Sequence, residues 1–260
     1  MIQEIRRRLG LGGKIQLWSG CLLAAAIIMV SHHAAAIEDN RCRGDSILVG
    51  HPALPRTLTA LRRHGPLTVV AIGSSSTQGY GSTTPSQAYP AQLSAQLKLR
   101  FPQSAIHVHN KGVGGENIGD MINRFSKDVF AEKPDLVIWQ TGTNDAINQV
   151  PIAQFRTLLI HGLRELRSRR IDVILMTPQY APQFTEAVGY ADYLTVMAAS
   201  AAAAKVAVFD RFEPTKRWYG DQHFAERPIL TKDGLHLSDM GYHCTALVLA
   251  DRLAALAAKR

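Results

Sequence analysis

Four short blocks along the chain contain residue types that together can transfer an acyl group through a serine. They stand in a fixed order, at residues 73–77 (GSSST), 110–115 (NKGVGG), 142–145 (GTND) and 233–236 (DGLH). A serine hydroxyl is a poor nucleophile at neutral pH and needs a base such as imidazole. The blocks therefore predict Ser75 as the nucleophile and His236 as its base.

Three further residues in these blocks fit the remaining roles of such a site. Asp233 precedes His236 by three residues, so its carboxylate can hold the second ring nitrogen and fix the tautomer. The Asn144 side chain and the Gly115 backbone N–H can donate to the oxyanion that develops during acyl transfer. Each residue alone also fits a helix cap, a turn or a flexible loop, so the interpretation depends on the ordered set.

The sequence lacks the patterns of several other chemistries. Residues 73–77 do not end in the Gly-Lys-Ser/Thr of a phosphate-binding Walker loop. No metal-ligand spacing surrounds Cys42 or Cys244, and the predicted reaction needs neither a metal nor an organic cofactor. The basic residues are scattered without interleaved aromatic residues, which argues against a nucleic-acid partner.

The elements that must position these blocks alternate along the chain. Continuous apolar runs predict buried strands, and apolar residues at helical spacing predict amphipathic helices. The predicted strands are 67–72, 105–109, 135–139, 171–176 and 206–209, and the predicted helices are 89–101, 117–130, 151–170, 187–204 and 238–257. This alternation predicts a parallel sheet with helices on both faces, and sites in such sheets lie at the carboxyl ends of the strands.

The order and spacing of the blocks resemble those of the SGNH hydrolase superfamily, also called GDSL esterases and lipases, from about residue 67 to the end. The resemblance implies a three-layer α/β/α sandwich of flavodoxin-like type, with a short central parallel sheet of about five strands. It implies a catalytic triad of Ser75, Asp233 and His236. It also implies an oxyanion hole formed by Ser75, Gly115 and Asn144. The usual Gly-Asp-Ser start is Gly-Ser-Ser here, and the missing carboxylate is not one of the catalytic groups.

The activity that we expect is that of a serine esterase, a carboxylic ester hydrolase acting through an acyl-enzyme on Ser75. No long apolar lid segment is evident in the sequence, which favours a small acyl group such as O-acetyl over a lipid. The expected substrate is a small-molecule or glycan ester, such as a carbohydrate or a cell-envelope glycan. Neither the natural substrate nor the oligomeric state follows from the sequence.

Aromatic residues before the last block are candidates for substrate binding. Trp218, Tyr219, His223 and Phe224 lie in the segment preceding Asp233 and are expected to form a wall facing the sugar or the acyl group. Ordinary packing of the loop is the alternative explanation for the same residues.

Two other functions remain open on the same residues. An O-acyltransferase would pass the acyl group to a sugar hydroxyl instead of water, and the difference lies in acceptor access and water exclusion. A non-catalytic glycan-binding protein on the hydrolase fold is the second alternative. The presence of all the catalytic residue types argues against it.

The first 36 residues have the pattern of a secretory signal peptide. Basic residues at 6–8 and 14 precede an apolar run at 15–30, and three alanines at 34–36 offer a cleavage site. We therefore expect an exported protein, periplasmic or secreted, without stable membrane insertion after cleavage. An uncleaved membrane anchor is the alternative. Residues 37–66 then form an irregular N-terminal arm, and residues 67–260 form the hydrolase domain.

Charge and cysteine count agree with an exported globular domain. The 260 residues carry a formal net charge of +8, of which the predicted leader accounts for +3. The basic group at 164–170 is expected to be a solvated helix face. Cys42 and Cys244 remain after loss of the leader and can form one disulfide, with two separate buried thiols as the alternative.

Overall fold

The computed structural model describes residue 42 and residues 48–50, 54–185 and 189–259. The predicted leader, residues 1–36, lies outside this part of the chain, as does much of the predicted arm. Among the described helices, none combines the length and the apolar character that crossing a bilayer requires.

Six strands in the described part of the chain form a single mixed sheet. They are β1 (Leu48–Gly50), β2 (Leu67–Gly73), β3 (Ile106–Gly112), β4 (Leu136–Gln140), β5 (Asp172–Met176) and β6 (Ala207–Phe209), in the spatial order β1-β6-β5-β4-β2-β3. Strands β2 to β6 are parallel, and β1 pairs antiparallel with β6 at one edge. The parallel strands follow the flavodoxin-like order, which confirms the predicted fold.

Helices cover both faces of the sheet. They are α1 (Pro55–Arg62), α2 (Ser75–Gln78), α3 (Tyr89–Arg100), α4 (Ile118–Asn123), α5 (Thr143–Ile147), α6 (Ile152–Ser168), α7 (Tyr190–Ala204), α8 (Phe212–Gly220) and α9 (Asp239–Ala258). Side chains alternate across each strand, so β4 sends Leu136 and Ile138 to one core and Val137 and Trp139 to the other. Helices α1, α3 and α9 contribute to the first core, and α4, α6 and α7 to the second.

The N-terminal arm is more ordered than the sequence predicts. Residues 48–50 form β1 by pairing with β6, and helix α1 begins at Pro55, whose fixed φ suits a first turn. The buried Asp172 carboxylate accepts hydrogen bonds from the Thr57 backbone N–H at 2.7 Å and from its hydroxyl at 2.8 Å. The prediction of an irregular arm is therefore wrong for these residues, because contacts with β5 and β6 supply the order.

A disulfide joins the arm to the last helix. Cys42 and Cys244 of α9 are bonded through sulfur, with Cα atoms 4.9 Å apart and a sequence separation of 202. Both residues are fully buried in the first core. The bond thus ties the beginning of the described chain to α9.

The topology leaves a crevice at the carboxyl ends of the parallel strands. The chain moves from β2 to the neighbouring β3, and then returns past β2 to form β4 on its other side. At such a switch point, the loops that follow the two central strands leave in opposite directions. The loop after β2 carries Ser75, and the loop after β4 carries residues 142–145. The fold therefore brings two predicted blocks to one crevice.

Candidate active site

Three side chains form a hydrogen-bonded line at the crevice. The hydroxyl oxygen of Ser75 lies 2.9 Å from His236 Nε2. On the other side of the ring, His236 Nδ1 lies 2.6 Å from Asp233 Oδ2. An ionised carboxylate can only accept, so Nδ1 carries the hydrogen and Nε2 is left to accept from the Ser75 hydroxyl. This is the tautomer that a serine nucleophile needs from its base.

The turn that presents Ser75 depends on a close approach of the backbone. A Cβ atom at Gly73 would lie 2.2 Å from Thr77 Oγ1 and 2.5 Å from Gln140 Oε1, so any larger residue would have to displace these side chains. The Gln140 side-chain oxygen also accepts from the Ser74 backbone N–H at 2.9 Å. Gln140, at the end of β4, therefore anchors the start of α2 and the nucleophile it carries.

The neighbouring serines are placed differently. Ser75 is half-buried and faces His236, whereas Ser76 is buried with its hydroxyl 3.3 Å from the Gln179 side-chain oxygen. The amide nitrogen of Gln179 in turn donates to the Leu235 carbonyl at 2.7 Å. Ser76 thus belongs to the support of the 233–236 loop, and only Ser75 contacts the base.

Asp233 is held as a carboxylate by four donors. The Thr231 hydroxyl lies 2.6 Å from Asp233 Oδ1, and the backbone N–H groups of Leu235 and His236 donate to the same oxygen at 2.9 and 3.0 Å. The His236 ring completes the set. Desolvation alone raises the pKa of Asp233, but these hydrogen bonds outweigh it and hold the pKa well below its usual range.

The three donors that the sequence predicts for the oxyanion are the N–H groups of Ser75 and Gly115 and the Asn144 side-chain amide. The backbone N–H groups of Ser75 and Gly115 have no hydrogen-bond acceptor among the described residues. The loop carrying Gly115 lies beside the nucleophile, because a Cβ atom at Gly114 would be 3.9 Å from Ser75 Cβ. The Asn144 amide donates one hydrogen to the Glu116 carbonyl at 2.8 Å, which orients the group, and its second hydrogen has no acceptor among the described residues.

A buried carboxylate holds the loops that carry the predicted oxyanion donors. The Asp145 carboxylate accepts from the Ile118 N–H at 3.0 Å and from the Gly142 N–H at 3.1 Å, which joins α4 to the loop of Asn144. Burial raises the pKa of Asp145, and these hydrogen bonds oppose the rise. Sequence analysis assigned Asp145 no role, although it stands inside the third block.

An ion pair holds the loop that carries Gly115. A guanidinium nitrogen of Arg124 lies 2.7 Å from the Glu116 carboxylate, and Arg124 also donates to the Gly73 carbonyl at 3.2 Å. Glu116 follows Gly115 directly and accepts from Asn144 through its carbonyl. Sequence analysis missed this pair, because nothing in the spacing of the two residues marks it.

An exposed tyrosine packs against the catalytic imidazole. The ring centroids of Tyr80 and His236 are 4.4 Å apart, and Tyr80 is 61% exposed. The buried Tyr242 of α9 donates its hydroxyl to the Tyr80 carbonyl at 2.7 Å. Tyr80 therefore forms one side of the site beside the base. It lies in a loop without a pattern, so no sequence signal identifies it.

Two of the four residues of the predicted aromatic wall are buried in the core. Trp218 and Phe224 are 2% and 3% exposed and pack in the first core, so the prediction that they face the substrate is wrong. The apolar face of α8 requires a partner, and the core provides it. Tyr219 is 51% exposed, and the His223 side chain is exposed with its ring nitrogen 2.6 Å from Asp221. These two residues remain on the surface.

The surface tyrosine is linked to the site through one loop. The ring of Tyr219 lies 5.7 Å from that of Tyr180, measured between centroids. Tyr180 directly follows Gln179, whose amide holds the 233–236 loop.

Nowhere in residues 54–185 and 189–259 do three histidine, cysteine, aspartate or glutamate side chains form a group able to hold a metal ion.

Comparison with known proteins gives a family and several relatives. The model of the non-GDSL lipase-like family matches residues 41–259. The chain is 31% identical over 102 residues to an acetylxylan esterase of Geobacillus stearothermophilus, covering 35% of this chain and 47% of that protein. It is 34% identical over 116 residues to the uncharacterized lipoprotein YqeF of Bacillus subtilis (strain 168), covering 42% of this chain and 47% of that protein. The chain thus spans about half the length of these curated relatives.

Solved structures share the fold. A two-domain esterase active on acetylated mannans superposes with a TM-score of 0.67 at 19% identity, over 82% of this chain and 56% of that one. The acetylxylan esterase Axe2 of Geobacillus stearothermophilus gives a TM-score of 0.61 at 23% identity, over 72% and 94%. A putative lipolytic protein of the G-D-S-L family from Desulfitobacterium hafniense DCB-2 gives a TM-score of 0.60 at 26% identity, over 72% and 99%.

Proposed function

This chain belongs to the non-GDSL lipase-like family, which confirms the resemblance to the SGNH hydrolase superfamily, and from this premise we propose that it is a serine esterase removing O-acetyl groups from a carbohydrate. The observation that carries the proposal is the hydrogen-bonded line Ser75–His236–Asp233, with spacings of 2.9 and 2.6 Å. The three oxyanion donors beside Ser75 support it.

The first half of the proposed reaction acylates the enzyme. Ser75 Oγ attacks the carbonyl carbon of the ester while His236 Nε2 accepts the hydroxyl proton. The negative charge on the carbonyl oxygen is stabilised by the N–H groups of Ser75 and Gly115 and by the Asn144 amide. The tetrahedral intermediate then expels the sugar oxygen, which takes the proton from His236 and leaves as an alcohol.

The second half returns the enzyme to its starting state. A water molecule gives a proton to His236 and attacks the acetyl carbon on Ser75. The same donors stabilise the second oxyanion, and the intermediate releases acetic acid as Ser75 recovers its proton. Asp233 stays ionised in both halves and stabilises the imidazolium, for which its lowered pKa is suited.

The substrate class is supported by relatives and by the open surface of the site. Acetylxylan and acetylated mannans are what two of the similar proteins are described as acting on. Tyr80, in the turn after α2, and Tyr219, on α8, are both more than half exposed and offer aromatic surface to sugar rings. A small acetyl group also needs no deep apolar tunnel.

The proposal is tested by acetate release from acetylated xylan and mannan oligosaccharides, with the Ser75→Ala variant as the control. We expect the native protein to release acetate and the variant to release none. A serine-reactive phosphonate should label Ser75, as located by peptide mass. Labelling of Ser76, or acetate release that survives Ser75→Ala, would contradict the proposal. Labelling with transfer of acetyl to a sugar, and no free acetate, would identify an acyltransferase instead.

We also propose that the protein is exported. The leader pattern at residues 1–36 and the Cys42–Cys244 disulfide both fit an oxidising compartment. N-terminal sequencing of the mature protein should give Ile37. A protein that keeps Met1, or that is recovered only from membranes, would contradict this.

A further inference from the structure

A buried arginine lies at the carboxyl ends of the strands, beneath the catalytic loops. Arg211 follows the end of β6 by two residues and is 1% exposed. Its Nε donates to the Thr177 carbonyl at 2.6 Å, and its backbone N–H donates to the Thr177 hydroxyl at 3.0 Å. Thr177 directly follows β5, so the guanidinium is fixed at the edge of the sheet where the catalytic loops begin.

The charge of Arg211 is not neutralised by a carboxylate in the described part of the chain. Its terminal nitrogens, Nη1 and Nη2, are buried and have no hydrogen-bond partner there. Burial lowers the pKa of Arg211 to about 10, so the group is still a cation at neutral pH. A buried charge without an opposite charge costs stability. Its presence under the site therefore calls for a role other than stabilising the fold.

Three buried tyrosines surround this cation. Tyr89 begins α3, Tyr190 begins α7 and Tyr242 lies in the first turn of α9, so the three rings come from helices on both faces of the sheet. Burial raises the pKa of each tyrosine, and the charge of Arg211 opposes the rise in all three. Such an effect is strong only at short range, so the three phenols lie close to the guanidinium.

Each of these tyrosines reaches a different part of the catalytic site. The α9 tyrosine donates its hydroxyl to the Tyr80 carbonyl at 2.7 Å, and the Asp233 carboxylate adds to the effect of burial on its pKa. The α3 tyrosine lies beside Thr77 of the nucleophile helix α2. The α7 tyrosine lies beside Thr143, which directly precedes Asn144. The three phenols thus connect one cation to the loops of the nucleophile, the triad carboxylate and the amide donor.

A fourth connection runs through the loop after β5. Arg211 holds the Thr177 carbonyl, and two residues later the Gln179 amide donates to the Leu235 carbonyl at 2.7 Å. Leu235 directly precedes the catalytic histidine. The position of the guanidinium is therefore linked to the position of the base as well.

We propose that Arg211 is a positioning residue for the esterase reaction, whose guanidinium holds Thr177 and the three tyrosines and thereby sets the relative positions of the catalytic loops. It acts through these side chains and contacts none of the triad residues. The inference rests on the proposed esterase function. It assigns the buried charge to activity, at a cost in stability.

The variant Arg211→Met removes the charge and keeps most of the side-chain volume. We expect kcat on a chromogenic acetyl ester to fall by about tenfold or more, because small displacements of reacting groups are costly. KM should change little, since the guanidinium is buried away from substrate. The urea midpoint of unfolding should not fall, because the variant no longer buries an unpaired charge. An arginine with a purely structural role would instead lose stability and keep kcat.

The matched control is Asp172→Asn, which removes a buried charge from the other end of β5. The Asp172 carboxylate contacts Thr57 of α1, far from the catalytic loops. This variant should keep the native kcat whatever its effect on the urea midpoint. An equal fall of kcat in the two variants would show a general effect of altering buried charge.

The variant Tyr242→Phe tests the same cluster without changing any charge. It removes the hydrogen bond to the Tyr80 carbonyl and should lower kcat by about threefold, the range for one hydrogen bond. Added to Arg211→Met, it should cause less than its own separate loss, because both changes act on the same contacts. Losses that multiply in full would contradict the coupling.

Amide hydrogen exchange gives a readout that does not depend on ester turnover. Peptides covering 74–80 and 141–146 should exchange faster in Arg211→Met than in the native protein, and a peptide from 152–168 of α6 should not change. Native exchange in both catalytic peptides would overturn the proposal, as would a native kcat in Arg211→Met. If that variant does not fold, a native kcat in Tyr242→Phe would overturn it. A native protein with neither turnover nor phosphonate labelling would contradict the esterase function, and the exchange result would still decide whether Arg211 orders these loops.

Discussion

At the scale of single residues, two adjacent hydroxyl groups have different surroundings. Ser75 contacts the imidazole of His236, and Ser76 is buried against Gln179. We expect Ser75→Ala to abolish ester turnover without unfolding the protein, because it removes only the nucleophilic oxygen. Ser76→Ala should keep most activity. Initial rates on a chromogenic acetyl ester, with circular dichroism to verify folding, test both. Comparable losses in the two variants would argue against Ser75 as nucleophile.

The amide of Asn144 should act mainly in the transition state. The hydrogen bond to the Glu116 carbonyl orients the amide before substrate binds and uses only one of its two hydrogens. Asn144→Ala should lower kcat by about 10²–10³ with a small change in KM, which is the range for losing one oxyanion donor. Steady-state kinetics separates the two parameters. A change confined to KM would mean that Asn144 binds the ground state instead.

The Asp233 carboxylate determines how the rate responds to acid. Its folded pKa lies below its unfolded one, so it is ionised, and stabilises the fold, above about pH 4. That contribution is lost as pH falls through the folded pKa. Protonation of Asp233 should therefore not contribute to the loss of rate until the pH falls well below about 4, and the profile of log kcat/KM against pH measures this.

Thr231→Val provides the matched test of this carboxylate. The substitution removes the 2.6 Å hydrogen bond from the Thr231 hydroxyl to Asp233. In the native protein this hydrogen bond lowers the pKa of the carboxylate. The pKa should rise towards its ordinary value, and the acid limb of the profile of log kcat/KM against pH should steepen at its low end. An acid limb identical to that of the native protein would show that the hydroxyl does not tune Asp233.

At the scale of elements, the junction of β2 and α2 is the most constrained. Gly73→Ala should lower the free energy of unfolding by about 1–3 kcal/mol, because the added methyl group overlaps Thr77 and Gln140. It should also displace Ser75 and lower the rate. Gly220→Ala, at the end of α8 where a Cβ atom meets nothing within 4 Å, is the control. Urea denaturation gives both values, and equal stabilities would contradict the packing argument.

The central elements could be predicted because their signals are local. The apolar runs of β2, β4 and β5 follow from burial on both faces of a parallel sheet, and the stripe of α6 follows from burial on one face. Strand β1 has three residues and exists through its pairing with β6, which no local pattern encodes. The burial of Trp218 also depends on tertiary packing, since an aromatic residue suits a core and a sugar site equally.

The residues of the candidate site also divide into those that the sequence predicts and those that it misses. Residues such as Ser75, Asn144 and His236 stand inside ordered blocks, and the structure brings those blocks to one crevice. The residues that hold them, such as Tyr80, Arg124 and Thr231, act through contacts that are specified by the fold rather than by spacing. Sequence reasoning therefore proposes the reacting groups and misses most of the residues that hold them.

At the scale of the whole molecule, the disulfide connects the arm to the first core. Replacing both Cys42 and Cys244 by alanine should lower the free energy of unfolding by about 2–4 kcal/mol. The rate at 25 °C should change little, since neither cysteine has a hydrogen bond to the triad. Denaturant titration measures the loss, and reductant should destabilise the native protein but not the double variant. Two free thiols in the mass of the purified native protein would exclude the bond.

The separation of these cysteines imposes an order in time on biogenesis. Cys42 is synthesised 202 residues before its partner, so it cannot pair with Cys244 until nearly the whole domain has been made. During that interval the nearest thiol is Cys21, only 21 residues away. Removal of residues 1–36 before Cys244 emerges would eliminate this competitor. Cleavage of the leader would then serve the fidelity of oxidation as well as release from the membrane.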